Sequence, residues 1–166
     1  MNAYVVADVY QNQFAQYLKL PFTDGREMVF ALPSDFAPPD PKRITDVLAS
    51  HVKFSREAIA ISIPRFTFNE HLDLIETLVK GGVSNAFSTR TADFRPMFGN
   101  KHVALTDIYQ ESEVTVDEQG AREATVSAAF VEIGMTPGLA MNRPFAFIID
   151  DPATQGVLAA GIVTHP

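Results

Sequence analysis

Three short apolar segments open the chain and predict strands. Residues 4–10 are rich in aromatic and β-branched side chains, residues 14–22 contain Pro21 near their end, and residues 27–33 form a nearly continuous apolar run. Aromatic and β-branched residues are typical of strands, and an apolar run of this length is typical of a buried strand. Asp24-Gly25 lies in a turn signal between the last two segments. We therefore predict a three-stranded antiparallel meander with a hairpin at this turn.

A short helix and a further strand are predicted next. Apolar residues recur at i, i+3 and i+4, which places them on one face of a helix over residues 42–51: Ile44, Val47 and Leu48. Asp40 is the expected N-cap of this helix, and Pro41 suits its first position. Residues 58–63 alternate isoleucine with smaller side chains, which predicts a strand with its isoleucines on one face.

The second half of the chain carries one more helical pattern and several strands. Helical spacing recurs at four apolar positions: Leu72, Ile75, Leu78 and Val79. We expect this helix to end at Gly81-Gly82, because glycine is favoured just beyond a helix. Residues 103–116 predict one long strand, and residues 145–150 and 157–163 predict a closing hairpin.

Composition and charge exclude several classes of function. The chain has 166 residues, of which 46% are hydrophobic and 20% charged, and its net charge is −7. An acidic chain is a poor candidate for binding nucleic acid, which requires a basic surface. There is no cysteine, so disulfide and thiolate chemistry are excluded. No apolar run approaches the ~18 residues of a membrane span, and no signal peptide is visible at the N-terminus. We therefore expect no membrane or nucleic-acid partner.

One segment between two strands has an unusual composition. After the sequence V-D-E-Q-G, the chain continues with mostly small, weakly polar residues: Ala121, Ala124, Thr125, Ser127, Ala128 and Ala129. Ordinary loops are instead rich in strongly polar residues, glycine and proline. A segment of more than about twenty residues between strands is also uncommon in a compact domain unless it is functional. This composition suits a stretch that is a loop in one state and a buried strand in another.

At these residues the chain resembles the serpins, a family of serine protease inhibitors. The motifs that carry the resemblance are V-D-E-Q-G before the small-residue tract, N-R-P-F-A-F-I-I-D after it, and the closing G-V-L-A-A-G-I-V-T-H-P. Upstream, L-K-L-P-F, M-V-F-A-L-P, D-L-I-E-T-L-V-K-G-G-V-S-N-A-F and A-D-F are similar to serpin segments in the same order. The resemblance implies an α+β fold of mostly antiparallel sheets with a few short helices. It also implies that residues 1–166 are the C-terminal part of a single serpin domain, with a hinge and reactive-centre loop at about 118–142 and a closing hairpin at 144–164.

The resemblance implies a protease inhibitor rather than an enzyme. In serpins a protease attacks the exposed loop, and the severed loop inserts into a β-sheet. The hinge residues that the resemblance assigns are Glu118, Gly120, Ala121, Arg122, Glu123, Ala124 and Thr125. It also predicts an ion pair between Arg65 and Glu118. The implied partners are a target serine protease and the missing N-terminal serpin segment, the implied location is extracellular or periplasmic, and no cofactor is implied.

The reactive bond can be bracketed by counting along the motifs. Counting from Gly120 places the residue before the bond at Gly134, whereas counting back from Pro144 places it at Ile133. Ile133 or Met135 would suit a protease with an apolar or small specificity pocket. No Lys or Arg lies between residues 124 and 142, which argues against a trypsin-like protease, whose specificity pocket carries an aspartate.

Departures from the family pattern support an alternative function. Inhibitory serpins usually carry threonine or serine directly after the hinge glycine, then a glutamate, then alanines. Here Ala121 is followed by Arg122 and Glu123. Burying an unpaired Glu123 would cost several kcal/mol. Gln110 stands where the family carries a histidine. A non-inhibitory serpin-like scaffold or binding protein is therefore the second hypothesis. The four histidines show no metal-ligand spacing, so no metal site is predicted.

Overall fold

The computed structural model describes residues 1–34, 39–99, 102–117 and 138–166. The strands in chain order are β1 (Asn2–Gln11), β2 (Ala15–Pro21), β3 (Glu27–Pro33), β4 (Ser55–Ser62), β5 (Phe66–Asp73), β6 (Tyr109–Val116), β7 (Leu139–Ala140), β8 (Phe145–Asp151) and β9 (Gly156–Val163). The helices are α1 (Pro41–Ala49), α2 (Ile75–Lys80) and α3 (Arg95–Phe98), and one 3₁₀ turn spans Asn85–Phe87. The chain forms two compact units, one of residues 1–66 with 115–166 and one of residues 67–114.

The predicted meander is confirmed in the first unit. Strands β1, β2 and β3 pair consecutively and antiparallel. The second hairpin turns at Gly25, whose φ of 89° is a conformation that glycine adopts without strain. Asp24 supports the turn by accepting a hydrogen bond from the backbone N–H of Arg26 at 3.1 Å. Aspartate and glycine at these positions therefore account for the register of the hairpin.

The meander is the centre of a larger sheet, the main sheet. Within the described residues, seven strands pair in the order β7-β4-β1-β2-β3-β8-β9. All neighbours are antiparallel except β4 and β7, which run parallel. The predicted closing hairpin is confirmed as β8 and β9. These strands confirm an α+β fold that is mostly antiparallel.

Helix α1 covers one face of the main sheet. Asp40 caps it by accepting the N–H of Lys42 at 3.0 Å, and Pro41 is its first residue, both as predicted. The helix contributes Ile44 and Val47 to a buried cluster with residues of three strands: Ala15, Tyr17, Val29, Ala31, Ala146 and Ile148. Ala146 is fully buried in this cluster, so its small size fits a position beneath the helix.

Aromatic residues fill the opposite face of the main sheet. Phe30 on β3 and Phe145 on β8 are almost completely buried, and their ring centroids lie 6.0 Å apart. Phe66, which follows β4, packs against Phe145 and Phe147 with centroid distances of 5.7 and 5.3 Å. Edge-to-face and tilted ring pairs at such distances stabilise the fold beyond what the burial of their apolar surface contributes. Both faces of β8 are therefore buried.

The second unit corrects two predictions. Its strand β5, which was not predicted, pairs with β6 and takes in Leu72, so the predicted helix begins only at Ile75. The carboxylate of Asp73 accepts the Ile75 N–H at 2.9 Å and marks that boundary. The helix ends at Gly81, as predicted. The long strand predicted over 103–116 is also wrong in its first half, because only Tyr109–Val116 is a strand.

Candidate functional site

The structure describes both ends of the segment that the sequence singles out. On the N-terminal side the chain leaves strand β6 at Val116, and Asp117 is the last described residue before the gap. On the C-terminal side the first described residue is Gly138, and the chain enters β7 at the next residue. Among the described residues, β6 pairs with β5 in a two-stranded sheet.

The C-terminal end, which we call the stem, comprises residues 138–145 and lies on the main sheet. Leu139 pairs with Ile61 in a parallel ladder, and the N–H of Met141 donates to the carbonyl of Ser62 at 2.8 Å. The side chains of Leu139 and Met141 are buried. A Cβ at Gly138 would lie 3.0 Å from Cγ1 of Ile59, so a glycine here permits the close approach.

Arg143 gives the stem a second attachment that the sequence did not reveal. Its Nε and Nη2 donate to the carbonyl of Pro33 at 3.2 and 2.7 Å. The bond joins residues 110 positions apart in the chain, and it lies partly buried. Hydrogen bonds from a charged donor are roughly twice as strong as those between neutral groups. The stem is therefore fixed both on β4 and at the end of β3.

The β5–β6 sheet carries an exposed polar cluster at the start of β6, the end of that strand farther from the segment. The ring of His71 stacks on Tyr109 at a centroid distance of 5.0 Å, and its Nδ1 lies 3.3 Å from a carboxylate oxygen of Glu111. The Tyr109 hydroxyl donates to Asp107 at 3.1 Å, and this hydrogen bond raises the pKa of Tyr109. All these groups are exposed to solvent, so the cluster adds little stability.

Gln110, which replaces the family's histidine, lies on the same strand. Its side-chain amide donates to Ser112 Oγ at 3.1 Å, a short-range contact within β6. Glu113 is exposed on the same strand, in keeping with a solvated strand face.

Most of the residues predicted for the site fall outside the described ranges. The hinge residues 118–125 and the reactive-bond candidates Ile133, Gly134 and Met135 lie there, so these assignments stay predictions. Arg65 is described and exposed just after β4. Its predicted ion pair with Glu118 also stays a prediction, because Glu118 lies outside the described residues.

In the described part of the chain, no three His, Asp or Glu side chains gather in a way that could hold a metal ion. No helix among the same residues is both long and apolar enough to cross a membrane.

Comparison with known proteins identifies relatives in sequence and fold. A family model described as "Serpin (serine protease inhibitor)" matches residues 1–166. An uncharacterized serpin-like protein of Methanosarcina acetivorans is 29% identical over 94% of this chain and 38% of its own length. Serpin B6 of Macaca fascicularis is 30% identical over 92% of this chain and 43% of its own length.

The fold is similar to solved serpin structures. The crystal structure of mouse protein-Z dependent protease inhibitor superposes with a TM-score of 0.80 at 23% identity, over 100% of this chain and 45% of that one. The chain thus spans about two fifths of the length of the curated relatives it matches. Because the family model matches every residue, the chain belongs to the serpin family and corresponds to a C-terminal portion of the serpin fold.

Proposed function

We propose that this chain serves in the inhibition of a serine protease, as a suicide substrate whose reactive loop lies within residues 118–142. The observation that carries the proposal is that β6, with β5 on one edge, leads directly into the proposed hinge, which we propose pairs along the other edge once the loop is cut. Among the described residues β6 pairs only with β5 and ends at Val116, shortly before Gly120. A chain that reverses at a glycine can return antiparallel along this edge, where it gains backbone hydrogen bonds.

The proposed chemistry needs only the loop and the protease. The serine Oγ of the protease attacks the carbonyl carbon of Ile133, Gly134 or Met135, the peptide C–N bond breaks, and the leaving amine takes up the proton. The acyl ester then joins the protease to the N-terminal part of the chain. Insertion of the small residues after Gly120 beside β6 removes the ester from the geometry that hydrolysis requires.

The proposal includes the domain and its partners. Residues 1–166 are the C-terminal part of a single serpin domain, and an N-terminal serpin segment is a partner in the complete fold. The target protease is not trypsin-like, because its specificity pocket must accept Ile133, Gly134 or Met135. An extracellular or periplasmic location stays a prediction from the family resemblance.

Covalent trapping tests this function. The chain is mixed with elastase, with chymotrypsin and, as the control, with trypsin, and the products are separated on an SDS gel and weighed by mass spectrometry. We expect elastase or chymotrypsin to give an SDS-resistant adduct and to release a C-terminal fragment that begins at residue 134, 135 or 136. A cut outside residues 132–136 would reject the proposed bond.

The second candidate function is a non-inhibitory serpin-like scaffold or binding protein, which the charged residues Arg122 and Glu123 favour. Cleavage by all active proteases without any adduct would support it. A double variant, Arg122→Thr with Glu123→Ala, separates the two functions further. If charge at the hinge limits insertion, this variant raises the ratio of adduct to simply cleaved chain, because no charged side chain then has to enter the sheet.

A further inference from the structure

We propose that Arg143 is a positioning residue for the reactive loop, because its side chain holds the stem on the main sheet through the carbonyl of Pro33. The inference rests on the proposed function, since a fixed stem matters only if the preceding segment must be presented to a protease.

The acceptor of the bond is itself fixed. Pro33 is the last residue of β3, is buried, and pairs with Ala15 on β2. The next residue, Ser34, donates its N–H to the carbonyl of Phe14 at 2.8 Å. Arg143 therefore binds to a rigid corner of the meander rather than to a loose loop.

The stem needs such an attachment, because its pairing on β4 is short. The parallel ladder covers only Leu139 and Ala140, with one further bond from Met141 to Ser62. Pro144 follows Arg143 and has no N–H to donate. Between Met141 and Phe145, the hydrogen bonds that join the chain to the described part of the sheet are thus the two from the Arg143 side chain.

The bonding pattern of Arg143 differs from that of the chain's surface arginines. Arg26 and Arg95 each pair with an aspartate two positions earlier, whereas Arg143 is partly buried and directs two N–H groups at one neutral carbonyl. A planar guanidinium supplies two donors in a fixed orientation, which a lysine ammonium does not reproduce. The contact therefore fixes the position of the stem and also stabilises its attachment to the main sheet.

The consequence for the proposed reaction lies in where the bond is presented. Residues 133–135 lie only a few positions before Gly138 in the sequence, so the stem is the described part of the chain that joins them to the main sheet. A stem that detaches from the main sheet would let different peptide bonds of the loop reach the active site of the protease. It would also reduce the fraction of encounters that end in a stable adduct.

The test compares Arg143→Ala and Arg143→Lys with Arg90→Ala as the control. Arg90 is exposed, and its guanidinium makes no hydrogen bond within the described residues. Hydrogen exchange is measured at the Met141 amide and, as an internal reference, at amides of β1 and β2. We expect Arg143→Ala to speed exchange at Met141 by about tenfold or more, as for a lost charged hydrogen bond, and to leave the reference amides unchanged. Arg143→Lys restores part of the protection, and the control does not differ from the unmodified chain.

A second readout tests the link to inhibition. The ratio of SDS-resistant adduct to cleaved chain falls in Arg143→Ala and recovers in part in Arg143→Lys. Unchanged exchange at Met141 overturns the proposal, and so does faster exchange with an unchanged adduct ratio. If the unmodified chain forms no adduct at all, the proposed function fails, and the exchange measurement alone decides whether Arg143 holds the stem.

Discussion

Replacing Phe147 by alanine tests how the main sheet is held together. Phe147 on β8 is fully buried, its ring lies 5.3 Å from that of Phe66, and it pairs across the sheet with Phe30. Truncating a buried phenylalanine loses transfer free energy and leaves a cavity, at a total cost of about 3–5 kcal/mol. Folded domains are stable by only about 5–15 kcal/mol. We therefore expect Phe147→Ala to remove a large fraction of the free energy of unfolding.

Urea unfolding, followed by far-ultraviolet circular dichroism, measures this loss. Phe98→Ala is the control, because Phe98 is 50% exposed and its loss should change stability by less than about 0.5 kcal/mol. A double-mutant cycle with Phe66→Ala should give a coupling of about 0.5–1.5 kcal/mol for the ring pair. A loss below about 1 kcal/mol for Phe147→Ala would refute the packing described for this face of the sheet.

Three further predictions concern the stem, a helix cap and a partly buried carboxylate. Gly138→Val should push the stem away from Ile59 at a cost of about 1–3 kcal/mol, seen as faster hydrogen exchange in β7. Asp40→Ala should lose about 0.5–2 kcal/mol of stability, because it removes the cap of α1, whereas Asp40→Asn should retain most of it in urea unfolding. Burial raises the pKa of Asp150, so the folded chain binds this proton more tightly than the unfolded chain does. The resulting contribution to stability is present at low pH and is lost as the pH rises through the raised pKa. Asp150→Asn should therefore become more stable relative to the unmodified chain between about pH 3 and about pH 7, and a constant difference would contradict this.

The elements that the sequence predicted correctly are those with local signals. The first three strands are separated by turn residues, and α1 begins at an aspartate followed by proline. The closing hairpin has apolar strands on either side of a polar turn. In each case the side chains that determine the structure lie within a few positions of it, so the pattern can be read along the chain.

The elements that it missed depend on distant partners. Leu72 has helical spacing with later residues, yet it lies in β5 because that strand pairs with β6, far along the chain. Residues 103–108 have a strand-like composition, but their backbone forms hydrogen bonds with the helical region instead. The Leu105 N–H donates to the carbonyl of Ala86, and the Ile108 carbonyl accepts from the N–H of Leu74. Pairing across such distances leaves no periodic signal in the sequence.

The same distinction applies to the candidate site. The motif order predicts a hinge around Gly120, because family motifs are contiguous stretches of sequence. The roles of Gly138 and Arg143 could not be read in this way. One depends on the space left by Ile59 and the other on the carbonyl of Pro33, and both partners lie more than 70 positions earlier in the chain. A three-dimensional structure is needed to bring such residues together.

The central claim is that the small-residue tract becomes a strand beside β6 once the loop is cut. The most direct measurement is hydrogen exchange of residues 121–129 before and after cleavage within residues 132–136, combined with urea unfolding of the two forms. The account predicts that the amides of this tract exchange more slowly after cleavage and that the cut chain unfolds at a higher urea concentration, because a new strand adds backbone hydrogen bonds. Unchanged exchange in the tract, together with an unchanged or lower unfolding midpoint, would contradict it.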